Sequence, residues 1–298
     1  MPVKELRIDL TPHLRKVKLK ARRDVLNRVL EGNWSTIFKG QGLEFAGYRA
    51  YTYGDDASKI DWAASLRAHE ILVRELEEYH NFNVFFLVDV SNSMLFSSTG
   101  KLKAEYAAEM VLSLCYAIMQ GGDAIGLGLF TDRLISKIPP SFGKGVYYRI
   151  IRELINPKNY GGVVDFTKVL QYVSTFLKER SLIIIVSDFI GLKPGWHRYL
   201  NILSGRYDII GIMVRDPRDY VMPRSAGQFL VEDPYTGEKL YIDSHQYARR
   251  YAEDARRNEE FIRSSFEKAK LGFISLRTDK EFQEPILNYF RKRLTLIR

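Results

Sequence analysis

The stretch FNVFFLVDVSNSM, residues 82–94, changes character in its middle, from a nearly continuous apolar run to small polar residues. The run ends on Asp89, and Ser91 and Ser93 follow it at alternate positions. A short apolar run without polar alternation is typical of a strand that is buried on both faces, as in parallel sheets covered by helices. The stretch therefore predicts a buried parallel strand that ends at a group of side-chain oxygens.

The second half of the chain repeats this pattern. Further runs with the composition of buried strands are AIGLGLFTD (124–132), SLIIIVSD (181–188), YDIIGIMV (207–214) and GFISLRT (272–278). Helical patterns lie at residues 101–120, 146–155, 165–179, 196–204, 246–270 and 281–294. This alternation predicts an α/β fold with a doubly wound, mainly parallel, Rossmann-like sheet. A polar insertion at 227–243 predicts a β-hairpin that turns at residues 235–237.

The N-terminal part of the chain is less regular. An amphipathic basic helix is predicted from Thr11 to Gly32. Residues 40–62 are rich in Gly, Tyr and Asp, and a short helix capped by Asp56 is predicted to run through Leu66. The next segment, ILVRELEEY, is predicted to be extended.

These differences suggest two regions. Residues 1–79 form an N-terminal basic helix with a Tyr/Gly/Asp signature arm, and residues 80–298 form the α/β domain with the late hairpin as an insertion.

The composition is that of an ordinary globular protein. Hydrophobic residues make up 46% of the 298 residues and charged residues 27%. The single cysteine, Cys115, excludes an internal disulfide framework and fits a reducing compartment. The N-terminus has no apolar segment of the secretory type, and no uninterrupted apolar run has the length of a bilayer span. We therefore expect a cytoplasmic protein with no membrane span.

The net charge of +9 raises the question of a nucleic-acid partner. The excess of basic residues is concentrated at residues 15–23 and 290–298. Neither segment interleaves its charges with aromatic residues or belongs to a recognisable RNA-binding module. We therefore expect no nucleic-acid partner.

Three of the predicted strands end on an aspartate, namely Asp89, Asp132 and Asp188. Because the carboxyl ends of parallel strands lie at one edge of a sheet, these residues should share that edge. Asp89, Asp188 and the two serines offer hard oxygen ligands, which suit Mg²⁺ or Mn²⁺. Asp and Ser are also common in turns and helix caps, so a purely structural role is the alternative.

The Asp-x-Ser-x-Ser motif at residues 89–93 resembles the metal-ion-dependent adhesion site of von Willebrand factor A domains. SDF at 187–189 is similar to that family's later aspartate motif, and GGVVD at 161–165 aligns with its middle motif. Val164 stands where the family has a threonine, so binding of Mg²⁺ or Mn²⁺ is predicted to be weak or absent. The resemblance implies that the metal ligands are Asp89, Ser91, Ser93 and Asp188, surrounded by Asp165, Thr167 and Asp132.

A second resemblance covers the chain from about residue 42 to its end. The signature GYRAYTYGDDASKIDWAASLRAHEILVRELEE (47–78), followed by the Asp-x-Ser-x-Ser-Met motif, is similar to the bacterial domain of unknown function 58 family. The cores of that family are von Willebrand factor A-like. The resemblance implies a non-enzymatic protein–protein interaction module, often linked with MoxR-type AAA+ ATPases in the assembly or maturation of other proteins. The partner would be such an ATPase or its client.

The signature supplies a second set of candidate binding residues: Tyr48, Arg49, Tyr51, Gly54, Asp55, Asp56, Asp61, Trp62 and Arg74. A structural role is the alternative for this set, in which Trp62, Tyr51 and Ile60 pack the arm onto the sheet edge.

A Mg²⁺-dependent phosphatase-like hydrolase that uses Asp89 is the rival function. Haloacid-dehalogenase phosphatases resemble this strand end, but they need a second aspartate two residues later, where this chain has Ser91. The sequence has no Gly-x-Ser-x-Gly elbow, no phosphate-binding loop and no His-Glu-x-x-His motif. We therefore expect a protein that is not an enzyme.

Overall fold

The computed structural model describes residues 43–78, 83–177, 181–222 and 227–297. The predicted helix from Thr11 to Gly32 lies outside these residues, and so does the predicted boundary between residues 79 and 80. The division into two regions therefore stays a prediction.

Strands and helices alternate along most of the described residues. The strands are β1 (Leu43–Ala50), β2 (Leu72–Glu78), β3 (Asn83–Asp89), β4 (Ala124–Phe130), β5 (Leu134–Ser141), β6 (Leu182–Ser187), β7 (Asp208–Arg215), β8 (Gln228–Glu232), β9 (Lys239–Asp243) and β10 (Gly272–Arg277). The helices are α1 (Trp62–Ala68), α2 (Lys103–Gln120), α3 (Lys144–Leu154), α4 (Phe166–Val173), α5 (Trp196–Ser204), α6 (Ser244–Lys268) and α7 (Gln283–Ile297).

The main sheet has the strand order β10-β7-β6-β3-β4-β5. Strand β3 pairs in parallel with β4 on one side and with β6 on the other. Strands β7 and β10 continue the parallel arrangement, and only the edge strand β5 is antiparallel within this sheet. The predicted mainly parallel α/β fold is therefore confirmed, and the carboxyl ends of β3, β6 and β7 lie side by side.

Both faces of the sheet are covered, as the apolar strands require. Alternate side chains of β3 point to opposite faces, so Phe86 joins the apolar cluster that contains much of α2, while Phe85 and Leu87 join the cluster that contains α4. Full burial of each such side chain stabilises the fold by roughly 1.5–3 kcal/mol. Gly211 in β7 allows a close approach of α6, because a Cβ there would lie 2.5 Å from the ring of Phe266.

Three local features of the structure differ from the sequence prediction. Strand β5 was not predicted, because Pro139 and Pro140 break its pattern; prolines are tolerated there since β5 is an edge strand. Strand β1 was not predicted either, because its residues lack an alternating pattern. The single helix expected from Asp56 to Leu66 is instead a short 3-10 turn followed by α1, which Asp61 caps.

The predicted late hairpin is confirmed, with β8 and β9 pairing antiparallel on either side of a turn at residues 233–238. In the part of the chain that the structure describes, no helix has both the length and the apolar character needed to cross a bilayer.

Candidate functional site

Three neighbouring strands of the main sheet end at aspartates. Asp89 is the last residue of β3, Asp188 follows β6, and Asp216 follows β7. All three are buried, with exposures of 1%, 0% and 0% respectively. Asp132, two residues beyond β4, lies at the same edge but is exposed. Asp216 was missed by sequence reasoning, because an Arg separates it from the apolar run of β7.

The loop after β3 folds back on Asp89. The backbone N–H of Ser91 donates to Asp89 Oδ1 over 2.9 Å, and the hydroxyl of Ser187 donates to Asp89 Oδ2 over 2.6 Å. The hydroxyls of Ser91 and Ser93 lie 3.3 Å apart and are buried. The structure thus brings the side-chain oxygens of Asp89, Ser91 and Ser93 together, and it buries them beneath the surface.

The carboxyl group of Asp89 is costly to ionise. Burial and the neighbouring carboxylate of Asp188 raise its pKa to about 6, although the hydrogen bonds from Ser187 and Ser91 act in the opposite direction. Near neutral pH the folded protein therefore holds a buried negative charge at a position that favours a proton or a cation.

Lys103 supplies the cation on the Asp188 side of this cluster. Its ammonium group donates to Asp188 Oδ2 over 2.7 Å and to Asp219 Oδ2 over 3.1 Å, and the side chain is 1% exposed. Burial alone would lower the pKa of Lys103, but the two carboxylates raise it above its usual value. The backbone N–H of Ile190 donates to the other oxygen of Asp188 over 3.0 Å.

Sequence reasoning missed Lys103 because it begins an otherwise regular helix. The sequence does contain a signal for this ion pair, because Lys103 is the first residue of an apolar, buried helix. A lysine in such a position is almost never fully buried unless a carboxylate pairs with it.

Asp216 connects the end of β7 to the loop between β3 and α2 by hydrogen bonds. The backbone N–H of Ser98 donates to Asp216 Oδ2 over 2.8 Å, and the Ser98 hydroxyl donates to Oδ1. Burial raises the pKa of Asp216, but these hydrogen bonds and the charge of Lys103 hold it below its ordinary value. Asp216 therefore has a structural role that supports the site.

The GGVVD loop lies against the Asp-x-Ser-x-Ser loop. The amide of Asn92 accepts from the N–H of Gly162 over 2.8 Å, and the N–H of Gly161 donates to the carbonyl of Val90 over 2.8 Å. Gly161 has a φ of 116°, a conformation that disfavours residues with a Cβ. This close pairing explains why a glycine pair is needed at this point of the chain.

The other residues of this motif do not present oxygens to the cluster. Val164 is 2% exposed and belongs to the apolar cluster that includes Phe166. Asp165 caps α4 through the N–H of Lys168 and accepts from the ammonium of Lys193 over 2.8 Å. Thr167 lies within α4 and is half-buried.

These residues fit a divalent cation poorly. Each of the four carboxylate oxygens of Asp89 and Asp188 already accepts a hydrogen bond, and Lys103 neutralises Asp188. Mg²⁺ prefers six oxygen ligands in near-octahedral geometry. Within the described ranges, no group of three or more His, Cys, Asp or Glu side chains is placed to hold a metal ion.

The turn of the β8–β9 hairpin lies on this site. The side-chain amide of Asn92 donates to the carbonyl of Pro234 over 2.8 Å, and the hydroxyl of Tyr235 donates to the carbonyl of Ile190 over 3.3 Å. The Tyr235 ring lies against Gly191, where a Cβ would come within 2.7 Å of it. Burial and the charges of Asp188 and Asp89 raise the pKa of the Tyr235 phenol, so it stays neutral.

The signature arm is held together by its own polar contacts. Asp61 caps α1 by accepting from the N–H groups of Ala63 and Ala64, each over 3.1 Å, and it accepts from the Tyr48 hydroxyl over 3.0 Å. Arg49 pairs with Asp55 through two contacts of 2.7 Å. Hydrogen bonds from Arg49 and Thr52 hold the pKa of Asp55 far below its ordinary range.

The remaining signature residues shape the arm. Asp56 caps the short 3-10 turn through the N–H of Ser58, and Gly54 adopts a φ of 107°. Tyr51 donates its backbone N–H to the carbonyl of Ile71, and Arg74 lies opposite Tyr48 in the β1–β2 register. These contacts join residues of the arm to one another and fix its shape.

One expectation for the arm is wrong. Trp62 was expected to pack the arm onto the sheet edge, but it is 64% exposed. As the first residue of α1 it follows the Asp61 cap, and the face of α1 turned toward β2 carries Ala64 and Ser65 instead.

Replacing Asp61 with alanine should loosen the arm, because the cap of α1 and the Tyr48 contact are lost together. Loss of an N-cap costs about 1–2 kcal/mol, which should speed tryptic cleavage after Lys59 and Arg67 about five- to thirtyfold. Asp56→Ala is the matched control, since Asp56 caps only the exposed 3-10 turn. Equal cleavage rates in the two variants would show that Asp61 does not hold the arm.

Comparison with known proteins identifies a family and several relatives of this chain. The chain matches the family described as "Protein of unknown function DUF58" over residues 47–261. An uncharacterized protein of Mycobacterium tuberculosis is 24% identical over 287 residues, which are 95% of this chain and 90% of the relative. An uncharacterized protein of Mycobacterium bovis matches to the same extent.

Solved structures with a similar chain path have low sequence identity. The conserved hypothetical protein BatB of Bacteroides thetaiotaomicron aligns over 72% of this chain and 100% of its own, with 14% identity and a TM-score of 0.47. A von Willebrand factor type A structure from Catenulispora acidiphila aligns over 74% of this chain and 43% of its own, with 14% identity and a TM-score of 0.36.

The mainly parallel six-stranded sheet, covered by helices on both faces, defines an α/β protein whose Asp-x-Ser-x-Ser loop lies at the carboxyl edge. Within that class the matched region covers most of the described residues, from the signature arm into α6. The chain belongs to the DUF58 family.

Proposed function

We propose that this chain is a non-enzymatic protein–protein interaction module whose strand-end face, made of the loops around Asp89, Gly162 and Asp188, docks another protein. The proposed partner is a MoxR-type AAA+ ATPase or a client that such an ATPase assembles or matures. One observation carries the proposal: the carboxylate of Asp89 is kept fully buried at this edge, with a hydrogen bond to each of its oxygens. Groups that are costly to fold are expected where they serve function.

The geometry around Asp89 argues against the phosphatase alternative. A nucleophilic aspartate needs an accessible oxygen, but both oxygens of Asp89 accept hydrogen bonds and the residue is buried. The acid/base position of such enzymes corresponds to Ser91, whose side chain cannot act as a carboxylic acid. Docking requires neither group to react.

We further propose that Mg²⁺ or Mn²⁺ contributes little to this face. The ammonium of Lys103 supplies positive charge beside Asp188, and Val164 provides no oxygen ligand. The face therefore works as a degenerate form of the metal-ion-dependent adhesion site, with an internal cation on one side.

The test is capture of a purified MoxR-type ATPase from the same organism by the immobilised full chain, with EDTA present. Asp89→Asn keeps the size of the side chain and removes its charge, so capture should fall at least tenfold. Asp132→Asn is the matched control, because it makes the same change in an exposed carboxylate at the same sheet edge, and it should capture normally. Equal capture by the wild type and both variants would refute this face as the docking surface.

A further inference from the structure

The position that Tyr235 occupies has a defined chemistry. The phenol lies close enough to Asp89 and Asp188 for both charges to act on it, and it also lies beside the hydroxyls of Ser91 and Ser93. Its own hydroxyl donates to the carbonyl of Ile190. The surrounding groups are thus two carboxylates and a carbonyl, which accept hydrogen bonds, and two hydroxyls, which can do either.

Such surroundings select one kind of side chain. An unprotonated carboxylate placed there would face the buried carboxylate of Asp89, which has no paired ammonium as Asp188 has, and this is unfavourable in a partly buried setting. A neutral hydroxyl or phenol can donate to the available acceptors at no such cost.

The hairpin turn is fixed over this position by contacts distant in sequence. The Asn92 amide that holds Pro234 is 142 residues away along the chain, and the same amide accepts from Gly162. The ring of Tyr235 fits only because residue 191 is a glycine. The turn therefore touches two of the three loops that form the strand-end face, and Asn92 links it to the third.

We propose that the strand-end face contains a subsite for a neutral hydrogen-bond donor and that Tyr235 fills this subsite from the same chain. To bind, a protein partner must displace the 233–238 turn and insert a hydroxyl-bearing side chain in place of Tyr235. The part that concerns the partner rests on the proposed docking function. The part that concerns the subsite does not, because a small molecule can test it.

The first experiment uses the full chain carrying Tyr235→Ala, in EDTA, with three probes that share one ring: 4-methylphenol, toluene and 4-methylbenzoate. Millimolar 4-methylphenol should bind the variant and raise its melting temperature, with an affinity at least fivefold above that of toluene, and 4-methylbenzoate should not bind. Tyr241→Ala is the matched control, because Tyr241 lies in the same hairpin and is 77% exposed. Preference for the benzoate, or equal binding by the control, would overturn the subsite.

The second experiment repeats the capture of the MoxR-type ATPase. When a closed conformation masks a site, apparent affinity is reduced by the fraction that is open, so Tyr235→Ala should capture at least threefold more ATPase than the wild type. Loss of capture in Asp89→Asn with no gain in Tyr235→Ala would overturn the displacement and leave the docking function intact. No effect of either change would refute the docking function itself, while the probe result would still decide the subsite.

Discussion

Replacing Asp89 with asparagine is expected to raise the free energy of unfolding by about 3 kcal/mol at pH 7.5 in metal-free buffer. The reason is that the folded protein raises the pKa of this carboxyl to about 6, so its ionised form opposes folding near neutral pH. Asparagine has no charge to bury. Its carbonyl can accept from the Ser91 N–H, and its amide can donate to the Ser187 hydroxyl.

The pH dependence gives this prediction a clear sign. Between the ordinary pKa of 3.8 and the raised value of about 6, the folded state binds more protons than the unfolded state, so the stability of the wild type falls as pH rises. Asp89→Asn lacks this contribution. The two proteins should therefore be almost equally stable near pH 4 and should diverge up to about pH 6, with a constant difference above that.

Urea unfolding at a series of pH values measures this difference. Asp132→Asn serves as the control, and its stability should stay within about 0.5 kcal/mol of the wild type at every pH, as for most surface substitutions. A loss of stability in Asp89→Asn at pH 7.5 would contradict the prediction and would mean that a cation neutralises Asp89 in the folded protein.

Replacing Lys103 with methionine should have the largest effect, and it should be destabilising. Methionine keeps most of the side-chain volume but leaves Asp188 and Asp219 without the ammonium that pairs them. Removing one partner of a buried ion pair typically costs about 3–5 kcal/mol, because the remaining charge stays buried.

A second substitution separates charge from packing. Adding Asp188→Asn to Lys103→Met should restore part of the lost stability, because it removes one of the uncompensated carboxylates. Lys239→Met is the matched control, since Lys239 pairs with Glu232 and both side chains are more than half exposed, so the change should cost about 1 kcal/mol or less. If the double variant is no more stable than Lys103→Met, the methionine acts by disturbing packing and the electrostatic explanation is wrong.

Lys103→Met also tests the proposal that Mg²⁺ or Mn²⁺ contributes little to the strand-end face. With the ammonium gone, Asp188 Oδ2 becomes free to bind a cation, so Mg²⁺ or Mn²⁺ should raise the melting temperature of this variant and leave the wild type almost unchanged. A melting temperature of the wild type that responds to Mg²⁺ as strongly as that of the variant would mean that Lys103 does not take the place of the metal.

The sequence predicts the main sheet well because the information is local. Strands such as 82–89 and 181–188 are continuous apolar runs, and burial on both faces follows from that pattern alone. The antiparallel strand β5 was missed because its prolines are acceptable only at an edge, and the edge is a property of the whole sheet.

The site was predicted less completely, for a similar reason. The alternate spacing of Asp89, Ser91 and Ser93 brings these side chains together, but their burial depends on distant residues. Lys103 meets Asp188 across 85 positions, and Asn92 meets Pro234 across 142. No periodicity in the chain encodes such contacts. The exposure of Trp62 was misjudged because large aromatics are usually buried, and a helix at the surface of a small arm can leave one in solvent.

The central claim, that the strand-end face docks a protein partner, is tested most directly by a binding titration between the purified chain and a MoxR-type ATPase from the same organism in metal-free buffer. Removing the negative charge held beneath the face should weaken the dissociation constant of Asp89→Asn at least about tenfold, as in the capture test, although the variant is more stable than the wild type. Asp132→Asn should bind like the wild type. A dissociation constant for Asp89→Asn within about threefold of the wild type would contradict the claim.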